Sequence, residues 1–288
     1  MIAPALAYII INNFIPMAGL VVAFKHLNYS KGIWGSDWVG LKNFKFLFVS
    51  SDAWIITRNT ILYNLAFIII GTLFAIMVAI FLTDLRNRYF SKVSQSIIII
   101  PALVSWVVVS TLVYSGLSTE SGLLNKILGL FGSPHISWYS LPSAWPIILL
   151  LVYLWKNAGF QCVIFMASIL SFNTELYEAA RIDGASKWQQ IRHLTIPMLK
   201  PTIIMIVLLS LGKIFYSDFG LFYQVPLNSG ALFSTTSTID TYVFNGLVKL
   251  GNLGMTAAAG FYQSIVGFVL ILVSNLVVRK ISPENALF

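Results

Sequence analysis

Apolar blocks long enough to cross a membrane constrain this chain more than any other feature of its sequence. A helix crosses the hydrocarbon core of a bilayer with about 20 predominantly apolar residues. Blocks of this kind occur at residues 3–24, 60–82, 96–114, 144–170, 202–222 and 255–278. Because only helices and closed barrels satisfy every backbone polar group in lipid, we expect an all-α membrane protein. It should form one transmembrane domain, residues 1–288, with six transmembrane helices.

Prolines indicate where two of these helices should bend or begin. Pro101 lies inside the third block, where neighbouring helices can tolerate a kink. Pro197 and Pro201 lie just before the fifth block. Because proline lacks a backbone N–H and its ring clashes with the preceding turn, we expect these two residues to stop or redirect a helix that approaches the fifth block.

The composition agrees with a membrane location and argues against several classes of function. Hydrophobic residues make up 58% of the chain and charged residues 10%, whereas soluble domains contain about 25% charged residues. The formal net charge of +8 is spread thinly between the apolar blocks, without the basic stripe of a nucleic-acid-binding protein. We therefore expect membrane lipid around the chain and no nucleic-acid partner.

Residue types that carry catalysis or bind metals are scattered along the chain. His26, His135 and His193 have no other ligand at metal spacing. The single cysteine, Cys162, can form neither an internal disulfide nor a CxxC pair, and should be a small apolar residue in a helix. The phosphate-binding pattern GxxxxGKS/T is absent. We expect no catalytic residue, metal or cofactor on this chain. A polytopic membrane enzyme, such as a lipid or glycan transferase, is the weaker alternative because it would need acidic or histidine clusters at one membrane face.

Basic residues near the ends of the blocks indicate the orientation. Six spans put both termini on the same side of the membrane. Lys and Arg concentrate in short cytoplasmic loops, and such residues follow the second and the sixth block: Arg86, Arg88, Lys92, Arg279 and Lys280. The basic loop over residues 25–57 works against this orientation. On balance we expect both termini to be cytoplasmic.

A polar segment, EAARIDGASKWQQIRHLTIPMLKP, separates the fourth and fifth blocks at residues 178–201. Asn173 or Thr174 can cap a helix at its start, and Gly184 suits the left-handed position that follows a helix end. Ser186 can begin a second helix, since SKWQ has the S-x-x-Q form of a capping box. We expect two short helices joined by a fixed turn.

Two roles fit these helices. Paired alanines leave a low surface that another protein's groove can approach closely, as in helix-in-groove docking. The alternative is an amphipathic helix lying on lipid, which accounts for Trp188 and the basic residues. It accounts less well for Glu178 and Asp183, because membrane-surface helices favour Lys and Arg.

The same segment resembles the EAA signature of the integral-membrane subunits of binding-protein-dependent ABC importers. The matching residues are Glu178, Ala179, Ala180, Asp183, Gly184 and Pro197. Ile196 stands where leucine is usual before the proline. Three further stretches resemble the sugar-permease branch that imports oligosaccharides and polysaccharide fragments in bacteria: FKHLNYSKGIWGSDWVGLKNFKFLF, LWKNAGF and DFGLFYQVPLNSGALFSTTSTIDTYVF. The likeness covers nearly the whole chain.

The resemblance implies a role for residues 174–197, which we call the coupling segment. In such importers it is a cytoplasmic coupling helix held in a cleft of a separate ATPase, so ATP and magnesium are expected on two ATPase subunits and not on this chain. The other implied partners are a second, different permease subunit, which would make a heterodimer, and an extracellular solute-binding protein or lipoprotein. The implied location is the bacterial cytoplasmic membrane. A permease of this class for a non-sugar solute is the alternative.

Polar side chains within the fourth block form a second candidate site, because ionisable and polar residues are expensive in lipid. The polar residues are Lys156, Asn157 and Gln161, and the aromatic residues Tyr153 and Trp155 lie beside them in the sequence. Sugars bind to polar donors and acceptors beside aromatic faces, and this set supplies both. We expect these residues to line a substrate pathway, with pairing inside the helix bundle as the alternative for Lys156.

Overall fold

The long helices of the computed structural model follow the apolar blocks. The structure describes residues 2–45, 49–85, 87–249, 251–281 and 283. Within these residues, five helices are long and apolar enough to cross a membrane, and a bent pair of helices adds a sixth span when it is counted as one. The all-α membrane fold class is confirmed. The helices are α1 Ala3–Phe24, α2 Ser51–Asp84, α3 Arg88–Leu103, α4 Trp106–Leu117, α5 Leu123–Leu130, α6 Trp145–Leu170, α7 Thr174–Ile182, α8 Lys187–Leu211, α9 Ile239–Val248 and α10 Leu253–Ile281.

Short elements connect the long helices. Two strands, β1 Lys25–His26 and β2 Asp37–Trp38, pair in antiparallel fashion between α1 and α2. Single helical turns occupy Gly32–Gly35, Gly40–Phe44, Trp138–Ser140, Pro142–Ala144, Gly220–Gln224, Gly230–Leu232 and Phe233–Thr236. Arg86, one of the residues used to predict the orientation, lies outside the described residues.

The second span begins earlier than the predicted residue 60. Ser50 caps α2 by accepting a hydrogen bond from the backbone of its first turn. The polar residues that follow are satisfied by the segment before α9. Asn59 donates to the carbonyl of Ser237 at 2.9 Å, and the hydroxyl of Thr60 accepts from the N–H of Ile239 at 3.0 Å. These partners allow the helix to extend beyond its apolar block.

The prediction of one kinked helix over residues 96–114 is wrong in its geometry. The helix α3 ends at Leu103, α4 begins at Trp106, and the two helices are bent by 98° from one another. Pro101 lies in the last turn of α3, and Ser105 caps α4 by accepting from the backbone of its first turn. Because a new capped helix begins directly after the proline turn, the chain turns sharply instead of kinking.

The prediction that Pro197 and Pro201 stop or redirect a helix is also wrong, since α8 runs through both. A π-helical turn at Ile191–Thr195 comes directly before, and Pro197 lies in the first turn of the α-helical part that follows. The first turn of a helix tolerates a residue without an N–H. The second half of the coupling segment is therefore the start of the fifth span and not a separate helix.

The fifth span also ends earlier than predicted, at Leu211 instead of residue 222, and the chain unwinds over residues 212–218. Side chains from three other helices satisfy this stretch: Asn64 of α2, Asp240 of α9 and Gln263 of α10. Their partners are the carbonyls of Ile214, Phe215 and Tyr216 and the N–H of Ser217. Irregular backbone inside a membrane requires bracing of this kind.

Apolar contacts between α2 and α6 form the centre of the bundle. One cluster there is largely aromatic and includes Tyr63, Phe67, Trp145, Leu149 and Phe222. A second cluster includes Ala75, Ala79, Cys162, Phe165 and Leu199. Cys162 is 1% exposed within α6, which confirms its prediction as a small apolar helix residue.

The helix α1 is the exception to this packing. Its first two thirds, residues 3–17, are exposed along their length, and it contacts α10 through Ala18–Phe24. An apolar helix that the described part of the chain leaves uncovered is expected to face lipid or another subunit.

Candidate functional site

The coupling segment begins with α7, whose ends are fixed by local hydrogen bonds. Asn173 caps the start, accepting from the N–H of Glu175 at 2.9 Å. Gly184, just after the helix, has a φ of +80° in the left-handed region. The N–H of Ala185 donates to the carbonyl of Ala180 at 2.8 Å, a bond typical of helices that end at glycine. The predicted helix and turn are both present.

A second set of bonds fixes the arm that follows the turn. Ser186 and Gln189 form the predicted capping box, with the N–H of Ser186 donating to Oε1 of Gln189 at 2.7 Å. Gln190, which is buried, donates to the carbonyl of the turn at 3.0 Å. The hydroxyl groups of Tyr177 and Thr195 lie 3.0 Å apart and join the two arms. The turn and both arms are therefore tied together as one rigid unit.

The outer surface of this unit combines charged groups with large apolar side chains. Ile182 is 87% exposed and Trp188 is 68% exposed. The residues of the EAA signature are also accessible: Glu178, Ala179, Asp183, Gly184 and Pro197 are exposed, and Ala180 is half-buried. Exposed apolar side chains surrounded by polar ones are typical of a surface that binds a partner.

An ion pair connects the coupling segment to the second span. Lys187, the first residue of α8, pairs with Asp84, the last residue of α2. A cleft of about 180 Å³ lies beside the pair and extends to Tyr177 and Thr195. The base of the coupling segment is thus attached both to its own span and to the neighbouring one.

In the second candidate site, the structure brings together three of the five predicted pathway residues. Tyr153, Asn157 and Gln161 are spaced four residues apart on one face of α6. The ring of Tyr153 stacks on Phe67 of α2, with centroids 3.9 Å apart and planes within 6°, and Gln161 approaches the same helix. Trp155 lies on a different face and is 48% exposed, so it is separated from the other three.

Lys156 is also separated from these three residues. It is 6% exposed, and its ammonium group donates to the carbonyls of Pro101 and Ala102, each at 3.2 Å, and to that of Val104. An ammonium group has three donors, and these carbonyls use all of them. Its position is the one described by the alternative prediction, with its partners inside the bundle.

The sequence analysis missed the side chains that brace the unwound stretch after α8. Asn64 and Gln263 lie inside apolar blocks, and Asp240 begins α9. Isolated amide side chains in membrane segments are the signal that could have identified the first two, because polar groups in spans are rarely without a partner. The sequence contains no local sign of which carbonyls they reach.

Among the described residues, no group of three or more His, Cys, Asp or Glu side chains could hold a metal ion.

Comparison with protein families gives a match over residues 71–283 to the family described as "Binding-protein-dependent transport system inner membrane component". Among curated proteins, the polygalacturonan/rhamnogalacturonan transport system permease protein YteP of Bacillus subtilis (strain 168) is 32% identical over 287 residues, covering 99% of this chain and 88% of that protein. The trehalose/maltose transport system permease protein MalF of Thermococcus litoralis is 26% identical, covering 98% of this chain and 92% of that protein.

Two solved structures have the same fold over nearly the whole chain. One is a crystal structure of a bacterial ABC transporter involved in the import of the acidic polysaccharide alginate. It aligns with a TM-score of 0.88 at 28% identity, covering 97% of this chain and 93% of that chain. The other is a bacterial alginate ABC transporter in complex with an alginate pentasaccharide-bound periplasmic protein, with the same TM-score and identity over 98% of this chain and 93% of that chain.

Proposed function

Because the chain belongs to the family of inner membrane components of binding-protein-dependent transport systems, we propose that it is the translocation subunit of an ATP-driven importer for oligosaccharides or polysaccharide fragments. The chain is a multi-pass membrane permease of an ABC importer and not an enzyme, as its family membership establishes. The observation that carries the choice of substrate is the full-length similarity to a chain of an alginate importer.

Acidic polysaccharide fragments are the first candidates within this class. Alginate is the acidic polysaccharide named for one similar structure, and polygalacturonan and rhamnogalacturonan are named for a similar permease. Galacturonan and alginate are both chains of sugar acids, so two independent relatives share the substrate chemistry. Two neutral disaccharides, trehalose and maltose, are named for another relative, and neutral sugars are the alternative within the class.

The coupling segment supports the proposed link to a separate ATPase. Its two arms and its turn form a rigid unit, its exposed surface carries the EAA residues, and Lys187 ties its base to α2. A unit of this kind can transmit a movement of the ATPase to two spans at once. For ATP to drive the change, it must bind the two conformations of the complex with different affinity.

The partners follow from the same proposal. A solute-binding protein delivers the sugar, as in the complex of the alginate transporter with its periplasmic protein. Two ATPase subunits carry ATP and magnesium, and a second, different permease subunit completes the pathway. The coupling segment and both termini face the cytoplasm of a bacterial cell.

The first test is purification of the tagged chain from native membranes, followed by transport. The recovered complex is placed in liposomes with its binding protein, and uptake of labelled alginate and galacturonan oligosaccharides is compared with uptake of maltotriose and of an amino acid. We expect ATP-dependent uptake of the acidic oligosaccharides. Uptake of the amino acid alone would establish the non-sugar alternative. Recovery of the chain without an ATPase would contradict the importer.

A further inference from the structure

The bend between α3 and α4 creates an energetic problem inside the membrane. A helix that ends leaves its last carbonyl groups without backbone partners. Here α3 ends at Leu103, and α4 begins at Trp106 at an angle of 98° to it. Lipid offers no donor to satisfy those carbonyls, so such a break persists only where protein groups supply the missing hydrogen bonds.

The Lys156 side chain supplies three such bonds. Its ammonium group reaches from α6 to the carbonyls of Pro101, Ala102 and Val104, on both sides of Leu103. Since each of its three donors has a carbonyl acceptor, one buried side chain satisfies three backbone groups at the break.

The same ammonium group holds an aromatic ring at the start of α4. It lies 5.0 Å from the ring centre of Trp106, within the range of a cation–π interaction. The ring rests directly on the backbone at Gly220, where a Cβ atom would lie 2.0 Å from it. The Asp218 carboxylate is close enough to interact with the Trp106 indole and, electrostatically, with Lys156. The break in the third span therefore meets the irregular stretch that follows α8.

We propose that Lys156 is a positioning residue of the transport cycle: it fixes the bend between α3 and α4 and holds Trp106 on the backbone at Gly220. Lys156 does not touch the solute. It acts through the backbone of α3 and through Trp106, so that the two discontinuous spans keep one relative arrangement. The effect on transport rests on the proposed function, whereas the effect on the bend does not.

The bend can be measured as a distance between two spin labels. Ser96 on α3 and Ser115 on α4 are exposed and bond only within their own helices. Both are replaced by cysteine in a Cys162→Ala background of the whole complex. Taking a rise of 1.5 Å per residue, the labelled positions should be about 20 Å apart across a right-angle bend and about 28 Å apart along a straight helix.

We expect the shorter distance in the wild-type background and in Lys156→Arg, which keeps the charge and the donors. Lys156→Met, which has similar length and no donor, should broaden the distribution and shift it by up to about 8 Å towards the straight-helix value. If Lys156→Met does not assemble, Lys156→Gln replaces it, and its fewer donors should give an intermediate distribution. A wild-type distance in the assembled Met variant, or in the Gln variant that replaces it, would overturn the proposal.

Measurements of transport distinguish a positioning role of Lys156 from a role in solute binding. In the same complexes, Lys156→Met should lower the maximal uptake rate by about tenfold while KM changes by less than about twofold, because no contact with bound solute is lost. Lys156→Arg should recover most of the rate. A rise in KM at an unchanged maximal rate would assign Lys156 to solute binding and overturn the positioning role. If wild-type complex takes up no oligosaccharide, the proposed function fails, and the distances still decide the role of Lys156.

Discussion

Gly184 is the residue on which the shape of the coupling segment depends most. Its φ of +80° belongs to the left-handed region, which costs residues with a Cβ roughly 1–2 kcal/mol. The space around it is open, with nothing within 4 Å of a Cβ built at this position. The requirement for glycine therefore comes from the backbone and not from crowding.

Gly184→Val should reduce transport while the protein still inserts into the membrane. The strain of roughly 1–2 kcal/mol would shift the population of the native turn by about 5- to 30-fold. Gly184→Asn is the matched control, because asparagine enters the left-handed region more readily. The measurement is ATP-driven uptake normalised to inserted protein. Uptake by the valine variant equal to that of the asparagine variant would argue against the rigid-turn role.

At the scale of helices, the structure depends on contacts between elements far apart in the chain. The helix α6 packs on α2 along most of its length and on α3 over a shorter stretch. Where α6 meets α3, the backbone of Gly159 lies so close that a Cβ atom would be 2.1 Å from the carbonyl oxygen of Ile98. This approach brings Lys156 within reach of the break at the end of α3.

Gly159→Ala should force α3 away from α6. Overpacking of this kind costs about 1–3 kcal/mol, and the added methyl meets backbone that cannot turn aside. We expect a lower thermal transition temperature of the purified complex and weaker hydrogen bonds from Lys156 to its carbonyl partners. Gly260→Ala in α10 is the control, since nothing lies within 4 Å of its Cβ position. Equal transitions in the two variants would mean that α3 does not pack this closely.

The ion pair between Asp84 and Lys187 leads to a second prediction at the scale of helices. Both side chains are about half exposed, so the pair should add little stability, about 0.2–1 kcal/mol. Its value would lie in attaching the coupling segment to α2. Asp84→Lys and Lys187→Asp should each lower the sugar transported per ATP hydrolysed, and the double exchange should restore part of it. Single variants that each match the wild type would show that the pair does not contribute to coupling.

At the scale of the whole molecule, two exposed surfaces lie where partners are proposed to bind: α1 and the coupling segment. The described residues leave most of α1 uncovered, and Asn12 and Asn13 are exposed among its apolar residues. Amide groups are unfavourable in lipid, so α1 is the helix where the proposed second permease subunit would bind. At the other end of the molecule, Ile182 and Trp188 project from the coupling segment, where the ATPase is proposed to bind.

The orientation of the whole molecule can be tested with the chain's single cysteine removed. In a Cys162→Ala background, cysteine replaces the exposed Trp34, between the two strands, or the exposed Trp188 of the coupling segment. In spheroplasts that lack the ATPase subunits, a membrane-impermeant maleimide should label position 34 while they are intact and position 188 only after lysis, if both termini are cytoplasmic. The reverse pattern would place the coupling segment outside the cell and exclude contact with a cytoplasmic ATPase.

The features that the sequence predicted correctly depend on neighbouring residues. The length of an apolar block decides whether it can cross a bilayer, which established the all-α membrane class. The cap at Asn173, the turn at Gly184 and the capping box at Ser186 each involve residues within a few positions of one another. The EAA pattern around Glu178 also consists of residues close together in the sequence, and it indicated the family that the comparisons show.

The course of the spans depended on partners that lie far away in the sequence. Lys156 caps carbonyls as many as 55 residues earlier, and Asn64 braces a carbonyl 150 residues later. A broken helix in lipid is stable only when such donors arrive from other helices, and no local pattern records where they come from. By itself, the sequence therefore determined the all-α membrane class, and it predicted the local cap at Asn173, the turn at Gly184 and the capping box at Ser186. The tertiary structure decided where the third and fifth spans break, because distant side chains satisfy the backbone there.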